Sequence, residues 1–486
     1  MYLYGMDYEK VIAERDSLQQ ENIYLRKEIE QLKRLIFGSR QERYVPQEAD
    51  SIQLSLFDEE TKPQVSIPEK EKISYERNKP VKKHPGRNEI PEHFEVEEIV
   101  IEPEGDVTGM VKVGEQITEY VEYVSASIKK IRLIRPTYAP KEGEGSFVIA
   151  ELPSRALPKS IAGEGLLTYM IIRKFIEHMP FYRQIQSIKR EYEWEIPSST
   201  INDWFAAVCT LLEPLYKLLK EKVLESGYLQ VDESPIKVQD ADKKGATHRG
   251  YQWVYHSPEE KLVYFDYRKG RGENGPKEIL EKYEGLLQCD GYKVYDKIVK
   301  RKKIIHLAGC MAHMRRKYYE AKDSDKEMSD YALSIFNRIY QFESQFKGLD
   351  PKERKGQRIK SILPLLEELK KWVDENQNKV LPKSPIGKAM NYTILQWSKI
   401  MRIFEDGRFE LDNNLIENKI RPLALGRKNY LFAGSHDGAS RIAMMYSFMG
   451  SCTANGVNPS HWLKSTLQKI NDTKLTELAS LLPNKF

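Results

Sequence analysis

Three acidic residues stand in contexts suited to chemistry. Asp232 lies in the β-branched and aromatic run GYLQVDESPIKV (227–238), Asp290 ends the apolar run LLQCD (286–290) just before Gly291, and Glu417 lies in LDNNLIENKIRPLALGRKNY (411–430). Clustered carboxylates repel one another, and each has its pKa raised unless a cation compensates. A divalent ion supplies that compensation, and hard oxygen donors with open positions suit Mg2+ or Mn2+. Two such ions roughly 3.5–4 Å apart can activate a nucleophile and stabilise the leaving oxygen of an in-line phosphoryl displacement. The plain alternative is ordinary surface acids, of which the chain has 72. Strand context for both aspartates argues against that as a joint explanation.

Whether the three can meet depends on the elements that carry them. The runs 227–238, GYQWVYH (250–256) and KLVYFDYR (261–268), separated by Gly and Lys turns, predict a three-stranded meander. A helix over 276–284, the strand 286–290, a fifth strand KIIHLAG (303–309) and a helix from Cys310 follow. That order belongs to an α/β fold of the ribonuclease H-like kind, in which the strands of Asp232 and Asp290 are neighbours. Glu417 would sit near the start of a helix able to pack on the same sheet edge, with Asp412 and Asn413 as cap residues and Asn414 in the turn before it. The expected catalytic domain spans 226–435, with a helical insertion at about 325–405, and a C-terminal helical segment spans 436–486. Its stretch IAMMYSFMGS (442–451) is expected to pack rather than to react.

Upstream, Val11, Leu18, Leu25 and Leu32 recur every seven residues while Asn22, Ile29 and Ile36 fill the other seam position. This predicts a coiled coil over 1–43 whose dimerisation seam is Leu18, Asn22, Leu25, Ile29, Leu32 and Ile36, with Asn22 setting register. A helix packed on its own domain is the alternative. Residues 44–93, rich in Pro, Glu, Lys and Ser, read as an extended basic linker, and 94–160 as a small β-rich module. Residues 161–225 are helical: FYRQIQSIKREYE (181–193), a break at 194–197, then Ser198 as an N-cap opening STINDWF. This matches a helix-turn-helix as well as a plain helical hairpin. In the former, the start of the second helix meets base edges, making Arg183, Ser199, Thr200 and Asn202 candidate DNA contacts.

Cations cluster beside the acids. Lys293, Lys297, Lys300, Arg301, Lys302 and Lys303 follow Asp290, with Arg315, Arg316 and Lys317 beyond. Such a run is either a solvated face or a phosphate-backbone contact with salt-dependent affinity. Arg421, Arg427, Lys428 and Asn429 follow Glu417, and 426–429 reads as a loop aimed at the same substrate. Tyr430 and Phe432 could stack on an unpaired base or belong to the core, and core is the expectation for Phe432. Cys310 and His313 do not complete a metal site, so His313 is read as a helix-face residue that orients DNA or packs.

Composition narrows the class without naming it. At 486 residues the chain is too long for one core and suggests about three units. Its 31% charged and 40% hydrophobic residues are a soluble balance, and a net charge of +5 means that any basic surface is local. Cys209, Cys289, Cys310 and Cys452 form no Cys-x-x-Cys pair, which excludes a disulfide framework or zinc ribbon. With no signal-peptide pattern at the start and no run near the roughly 18 apolar residues of a membrane span, a cytoplasmic protein is expected.

The chain resembles bacterial transposases of the Asp-Asp-Glu class, specifically the insertion sequence 66 family. The matching strings are LIFGSRQER (35–43), KHPGR (83–87), PFYRQ (180–184), IPSSTINDWF (196–205), LQVDESPIKV (229–238), CDGYKVYDKI (289–298), GCMAHMRRKYYEA (309–321), 411–439 and 446–463, in that order over more than 400 residues. The resemblance implies that Asp232, Asp290 and Glu417 are the catalytic triad and bind Mg2+ or Mn2+, two ions in all. It implies cleavage at the ends of the element by water, then joining of the freed 3′-hydroxyls to target DNA. Double-stranded DNA, further copies of the chain assembled on it and accessory proteins of the same element would be the partners, with a nucleoid location when bound and no membrane. Members often carry a cysteine-rich zinc segment after the linker, whereas this chain has no cysteine between 94 and 140, so no zinc is expected. A catalytically silent, transposase-derived DNA-binding repressor and a ribonuclease H-like nuclease are the alternatives.

Overall fold

The computed structural model describes residues 128–134, 137–138, 148–149, 153–158, 160–240, 245–301 and 305–486. Two compact units divide the chain, one of residues 47–150 and one of residues 1–46 with 151–486. In the first, β1 (Thr137–Tyr138) pairs antiparallel with β2 (Val148–Ile149). The heptad seam, the linker and most of the expected β-rich module lie outside the described residues.

The larger unit is a mixed α/β structure built on a five-stranded sheet. Its strands are β3 (Tyr228–Gln239), β4 (Thr247–Ser257), β5 (Leu262–Arg268), β6 (Gly285–Gln288) and β7 (Ile305–Ala308), ordered β5-β4-β3-β6-β7. The first three form the antiparallel meander, and β6 and β7 add in parallel on the other side of β3. Parallel neighbours need crossovers. The short helix α4 (Asn274–Ile279) lies in the connection from β5 to β6, and α5 (Lys293–Arg301) in that from β6 to β7. The helix expected over 276–284 stops at Ile279 because Tyr283 turns into the core, where its hydroxyl donates to the Leu286 carbonyl at 2.7 Å.

Ahead of the sheet come α1 (Glu164–Phe175), α2 (Phe181–Tyr192) and α3 (Ser198–Leu224). Glu193, in the left-handed region at φ 52°, ends α2, and Pro197 rather than Ser198 takes the N-cap position of α3. In α3, Ile201, Phe205, Val208, Leu212, Leu215, Leu219 and Val223 recur at helical spacing and are all buried. After β7 come α6 (Met311–Ala321), α7 (Lys326–Gln345), α8 (Pro351–Ser361), α9 (Leu363–Asn376) and α10 (Pro385–Ile400), then α11 (Asn414–Tyr430), α12 (His436–Ala454) and α13 (Pro459–Lys469).

Two cores result. One joins the sheet to α1–α3, α12 and α13. The second lies under α6–α10, around Met314, Tyr318, Phe336, Leu366, Leu369 and Met390, and reaches the sheet through Tyr228, Leu286 and Ala308. Helix α12 covers the edge strand β5: the hydroxyls of Ser451 and Ser447 accept the outward N–H groups of Val263 and Phe265 at 2.9 and 2.8 Å. An edge capped in this way cannot pair with another strand. No helix among the described residues is long and apolar enough to cross a membrane.

Candidate active site

The parallel pairing of β3 with β6 sets the first half of the site. Gln230 pairs with Gln288 at the last matched rung. Asp232 and Asp290 each lie two residues further along, so the register carries both acids to the same level. Asp232 is still within β3, opposite Val254 of β4, and its Oδ1 accepts the Glu233 N–H at 2.7 Å. Asp290 lies just past the end of β6, where its Oδ1 accepts the Tyr292 N–H at 2.9 Å and its carbonyl accepts the Tyr392 hydroxyl of α10 at 3.1 Å. Gly291 takes φ +100°, which bends the chain away from the strand; a Cβ there would stand 3.1 Å from the Tyr392 hydroxyl.

Glu417 is brought in by a buried polar network at the start of α11. Asn413 is the N-cap residue, yet its side chain does not cap; its Nδ2 donates across to the Val231 carbonyl at 3.1 Å, one residue before Asp232. Asp412 does the capping work, its Oδ1 accepting the Asn414 N–H at 3.0 Å. Gln230 Oε1 accepts the Ile416 N–H at 3.1 Å while its Nε2 donates to the Asp412 carbonyl at 3.2 Å. Gln288 Nε2 donates to the carbonyls of Gly309 and Glu410 at 3.0 and 2.7 Å. The two central strands therefore hold the segment that delivers Glu417.

The acids also act on one another through charge. Burial, then the carboxylates of Asp290 and Glu233, push Asp232 well above the usual carboxylate range; the Glu233 N–H opposes this and Glu417 adds to it. Glu417 is also raised, by burial first, with His313 and Arg316 of α6 opposing and Asp412 and Asp290 reinforcing. Burial is the larger cause in both, and the neighbouring carboxylates add to it. Among the described residues, no three acidic, histidine or cysteine side chains stand at metal-holding spacing. The fit to a hard divalent cation thus rests on donor chemistry and on the mutual repulsion of Asp232, Asp290 and Glu417.

Sequence reasoning left out one acid beside this set. Glu233 has a side chain only 2% exposed and is raised by burial, with Arg271 opposing and Asp290 reinforcing. Its Oε1 accepts from the Arg271 Nε and NH2 at 2.7 and 2.5 Å, and that guanidinium lies 4.3 Å over the Tyr292 ring. The adjacent pair Asp232-Glu233 was the available signal, but alternation sends neighbours to opposite faces of a strand, so nothing short of the loops above the sheet reveals Arg271 as partner.

The other candidate residues fall as follows. Arg183 on α2 is exposed; Ser199 and Asn202 are exposed and Thr200 half-buried in the first turn of α3. Asn202 Nδ2 turns back to the Ser198 carbonyl at 2.7 Å. Lys293, Lys297 and Lys300 share an exposed face of α5, whereas Lys302 and Lys303 lie outside the described residues. Arg315 and Arg316 are half-buried on α6, Arg421 and Lys428 exposed on α11, and Arg427 and Asn429 half-buried there. The Arg427 guanidinium donates to the Pro235 carbonyl of β3.

Two expectations are corrected here. Residues 426–429 are not a loop: α11 continues to Tyr430, because the bare Cα of Gly426 lets Tyr446 and Tyr430 close over it, and a Cβ would meet them at 2.4 and 2.9 Å. Phe432 is not core but 43% exposed. Leu431 turns the chain at φ 62° and Ala433 pairs with β3, its N–H donating to the Lys237 carbonyl at 2.8 Å, which leaves Phe432 on the outside of the bend.

Known proteins match this chain along most of its length. A family model described as Transposase IS66 family matches residues 159–441, another described as IS66 C-terminal element matches 447–484, and a third, Transposase C of IS166 homeodomain, matches 24–99. Among similar proteins, the uncharacterized protein y4jD of Sinorhizobium fredii (strain NBRC 101917 / NGR234) is 27% identical over 99% of this chain and 98% of its own length. Uncharacterized protein y4hP of the same organism is 29% identical over 95% of this chain and 88% of its own.

Proposed function

Because the chain belongs to the IS66 family of transposases, we propose that it is an Asp-Asp-Glu enzyme that cuts DNA at the ends of its own insertion sequence and joins the freed 3′-hydroxyls to target DNA. One observation carries this reading: the β3–β6 register brings Asp232 and Asp290 to one level, and Asn413, tied to the Val231 carbonyl at 3.1 Å, holds the start of the helix of Glu417 beside them, all three half-buried. The strand order, antiparallel across β5-β4-β3 and parallel across β3-β6-β7, supports a ribonuclease H-like catalytic domain with α7–α10 inserted before the third acid.

In this reading Asp232, Asp290 and Glu417 would hold Mg2+ or Mn2+, which would supply activation of the attacking oxygen and stabilisation of the departing one. The chain's own residues supply position. The Gln230–Gln288–Asn413 network holds Glu417 against the strand ends, and Tyr392 holds the backbone of Asp290. The first turn of α3, with Ser199, Thr200 and Asn202, reads the element end in a DNA groove. Arg421 and Lys428 meet phosphates along α11, and the heptad seam of residues 18–36 joins copies of the chain on DNA.

The test is cleavage of DNA carrying the element's own ends, with Mg2+, by the parent and by Asp232→Ala and Glu417→Ala. The parent is expected to nick and join at the ends, and both variants to bind without cutting. Equal binding with no cutting by any of the three, in Mn2+ as well and with the element's accessory proteins added, would make the chain a DNA-binding protein without catalysis.

A further inference from the structure

The loop that follows β5 returns over the sheet beside the acids. Glu233 and Asp232 are neighbours in β3, so their side chains leave on opposite faces, and Glu233 shares its face with Trp253, its partner in β4. On that face Glu233 Oε1 accepts from Arg271 Nε and Nη2 at 2.7 and 2.5 Å. The Arg271 guanidinium lies 4.3 Å over the Tyr292 ring, and the Tyr292 hydroxyl donates to the Arg271 carbonyl at 2.9 Å. Tyr292 in turn donates its backbone N–H to Asp290 Oδ1 at 2.9 Å. Contacts therefore run unbroken from Glu233, the residue after Asp232, through Arg271 and Tyr292 to Asp290.

The two partners in the ion pair differ in exposure. The Glu233 side chain is 2% exposed and that of Arg271 48%. Among the described residues, Arg271 Nη1 makes no hydrogen bond. A buried carboxylate thus fixes one edge of a guanidinium and leaves the rest of it open to solvent.

The surroundings are cationic too. Lys269 is exposed in the same loop and Lys293 at the start of α5. Lys237 and Arg249 face each other directly across β3 and β4, four residues further along on the face of Glu233, and both are exposed. None of these four is in an ion pair among the described residues. Like charges directly opposite on a sheet are destabilising, and an anionic ligand relieves that cost.

A guanidinium is planar, always charged and matched to two oxygens of a phosphate at once. We propose that Arg271 is a DNA-backbone contact at the lip of the acidic site, held by Glu233 and Tyr292 so that it binds the non-bridging oxygens of a phosphodiester close to the one that reacts. Lys237, Arg249, Lys269 and Lys293 extend the same surface. This rests on the transposase reading and adds a phosphate contact beside Asp290. From Asp290 to Tyr292 the chain spans at most about 7 Å, or about two nucleotides of strand at roughly 3.4 Å each, so the contacted phosphate lies within about three nucleotides of the reacting one.

The experiment is a phosphate scan read as affinity with the full chain, in buffer without divalent cations. Duplexes of the element end each carry one uncharged methylphosphonate, placed in turn at the phosphates around the boundary between element and flank. Each is titrated with the parent, Arg271→Gln, Arg271→Lys and Glu233→Gln, all checked for the parental circular dichroism spectrum. At one or two positions neutralisation is expected to weaken the parent about tenfold, the scale of one charge-assisted contact. Arg271→Gln should lose a similar factor on normal DNA and almost nothing further at those positions, and its salt dependence should fall by about one phosphate contact. Arg271→Lys should recover part of the affinity. Glu233→Gln, which leaves Arg271 unheld, should show a smaller penalty for the neutral phosphate than the parent, and the full parental penalty would remove the role given to Glu233. Losses that multiply at every position, or Arg271→Gln binding as the parent does, would reduce Arg271 to a strap that only holds the loop and overturn the assignment. If Arg271→Gln does not fold, Arg271→Lys decides, through a smaller penalty at those positions than the parent shows. A parent that cuts the ends with Mg2+ while the losses multiply removes only the Arg271 contact; a parent that neither binds nor cuts them removes the transposase reading as well.

Discussion

Gln230 and Gln288 face each other across the parallel β3–β6 pair, with Nε2 of the first donating to Oε1 of the second at 3.2 Å, and both are fully buried. This rung lies two residues before Asp232 and Asp290 and reaches, through the remaining amide atoms, the segment that starts the helix of Glu417. One hydrogen-bonded pair thus ties all three acids to a common frame.

Replacing Gln288 with Leu keeps the volume but strips partners from the Gly309 and Glu410 carbonyls and from the Tyr228 hydroxyl. Each buried polar group left unpaired costs about 1–3 kcal/mol. Urea unfolding should show Gln288→Leu destabilised by about 2 kcal/mol or more. Parental stability in this variant would mean that the network does not hold the segment.

The pH response follows from the raised carboxyl of Asp232. Its folded pKa lies above the unfolded value, so the folded chain retains a proton that the unfolded chain has released. That contribution is fully present below about pH 4, the ordinary Asp value, and is lost as pH rises through the folded pKa. In metal-free buffer Asp232→Asn should therefore raise the melting temperature at pH 7 and change it little below pH 4. Added Mg2+ should raise the melting temperature of the parent more than that of Asp232→Asn. The idea fails if the variant melts lower than the parent at pH 7.

Arg358 and Arg338 give a contrast between buried and exposed ion pairs. Arg358 is fully buried, donates to Glu343 at 2.6 and 2.9 Å and to the Phe409 carbonyl at 2.8 Å, and so links α7 and α8 to the segment ahead of α11. Removing one partner of a buried pair costs about 3–5 kcal/mol, and Arg358→Met is expected in that range. Arg338, paired with Glu368 at 3.2 Å on the surface, should lose under about 1 kcal/mol on change to Ala. Equal losses in denaturant unfolding would contradict the packing described.

Around the end of α11, Gly426→Ala places a methyl against Tyr446 and Tyr430 and should destabilise by about 1–3 kcal/mol. Phe432→Ser, on the outside of the following bend, should stay within about 0.5 kcal/mol of the parent. Thermal melts that reverse this order would put Phe432 back in the core.

Periodicity alone located the strands around Asp232, Tyr255 and Phe265 and the long apolar face of α3, because alternation and helical spacing are local consequences of backbone geometry. Residue type alone identified Asp232, Asp290 and Glu417 as the acids to watch, since strand and cap contexts are written in neighbouring residues. Tertiary structure decided everything that depends on which surfaces meet. It brought β6 beside β3, so that two distant aspartates share a level, and it turned Asn413 from a cap into a tie to Val231. It closed tyrosines over Gly426 to keep a helix where glycine suggested a loop, and it left Phe432 outside. Glu233 with Arg271 became visible only there. The physical reason is the same in each case: burial, hydrogen-bond partners and charge proximity are properties of pairs remote in sequence, and no local pattern encodes the partner.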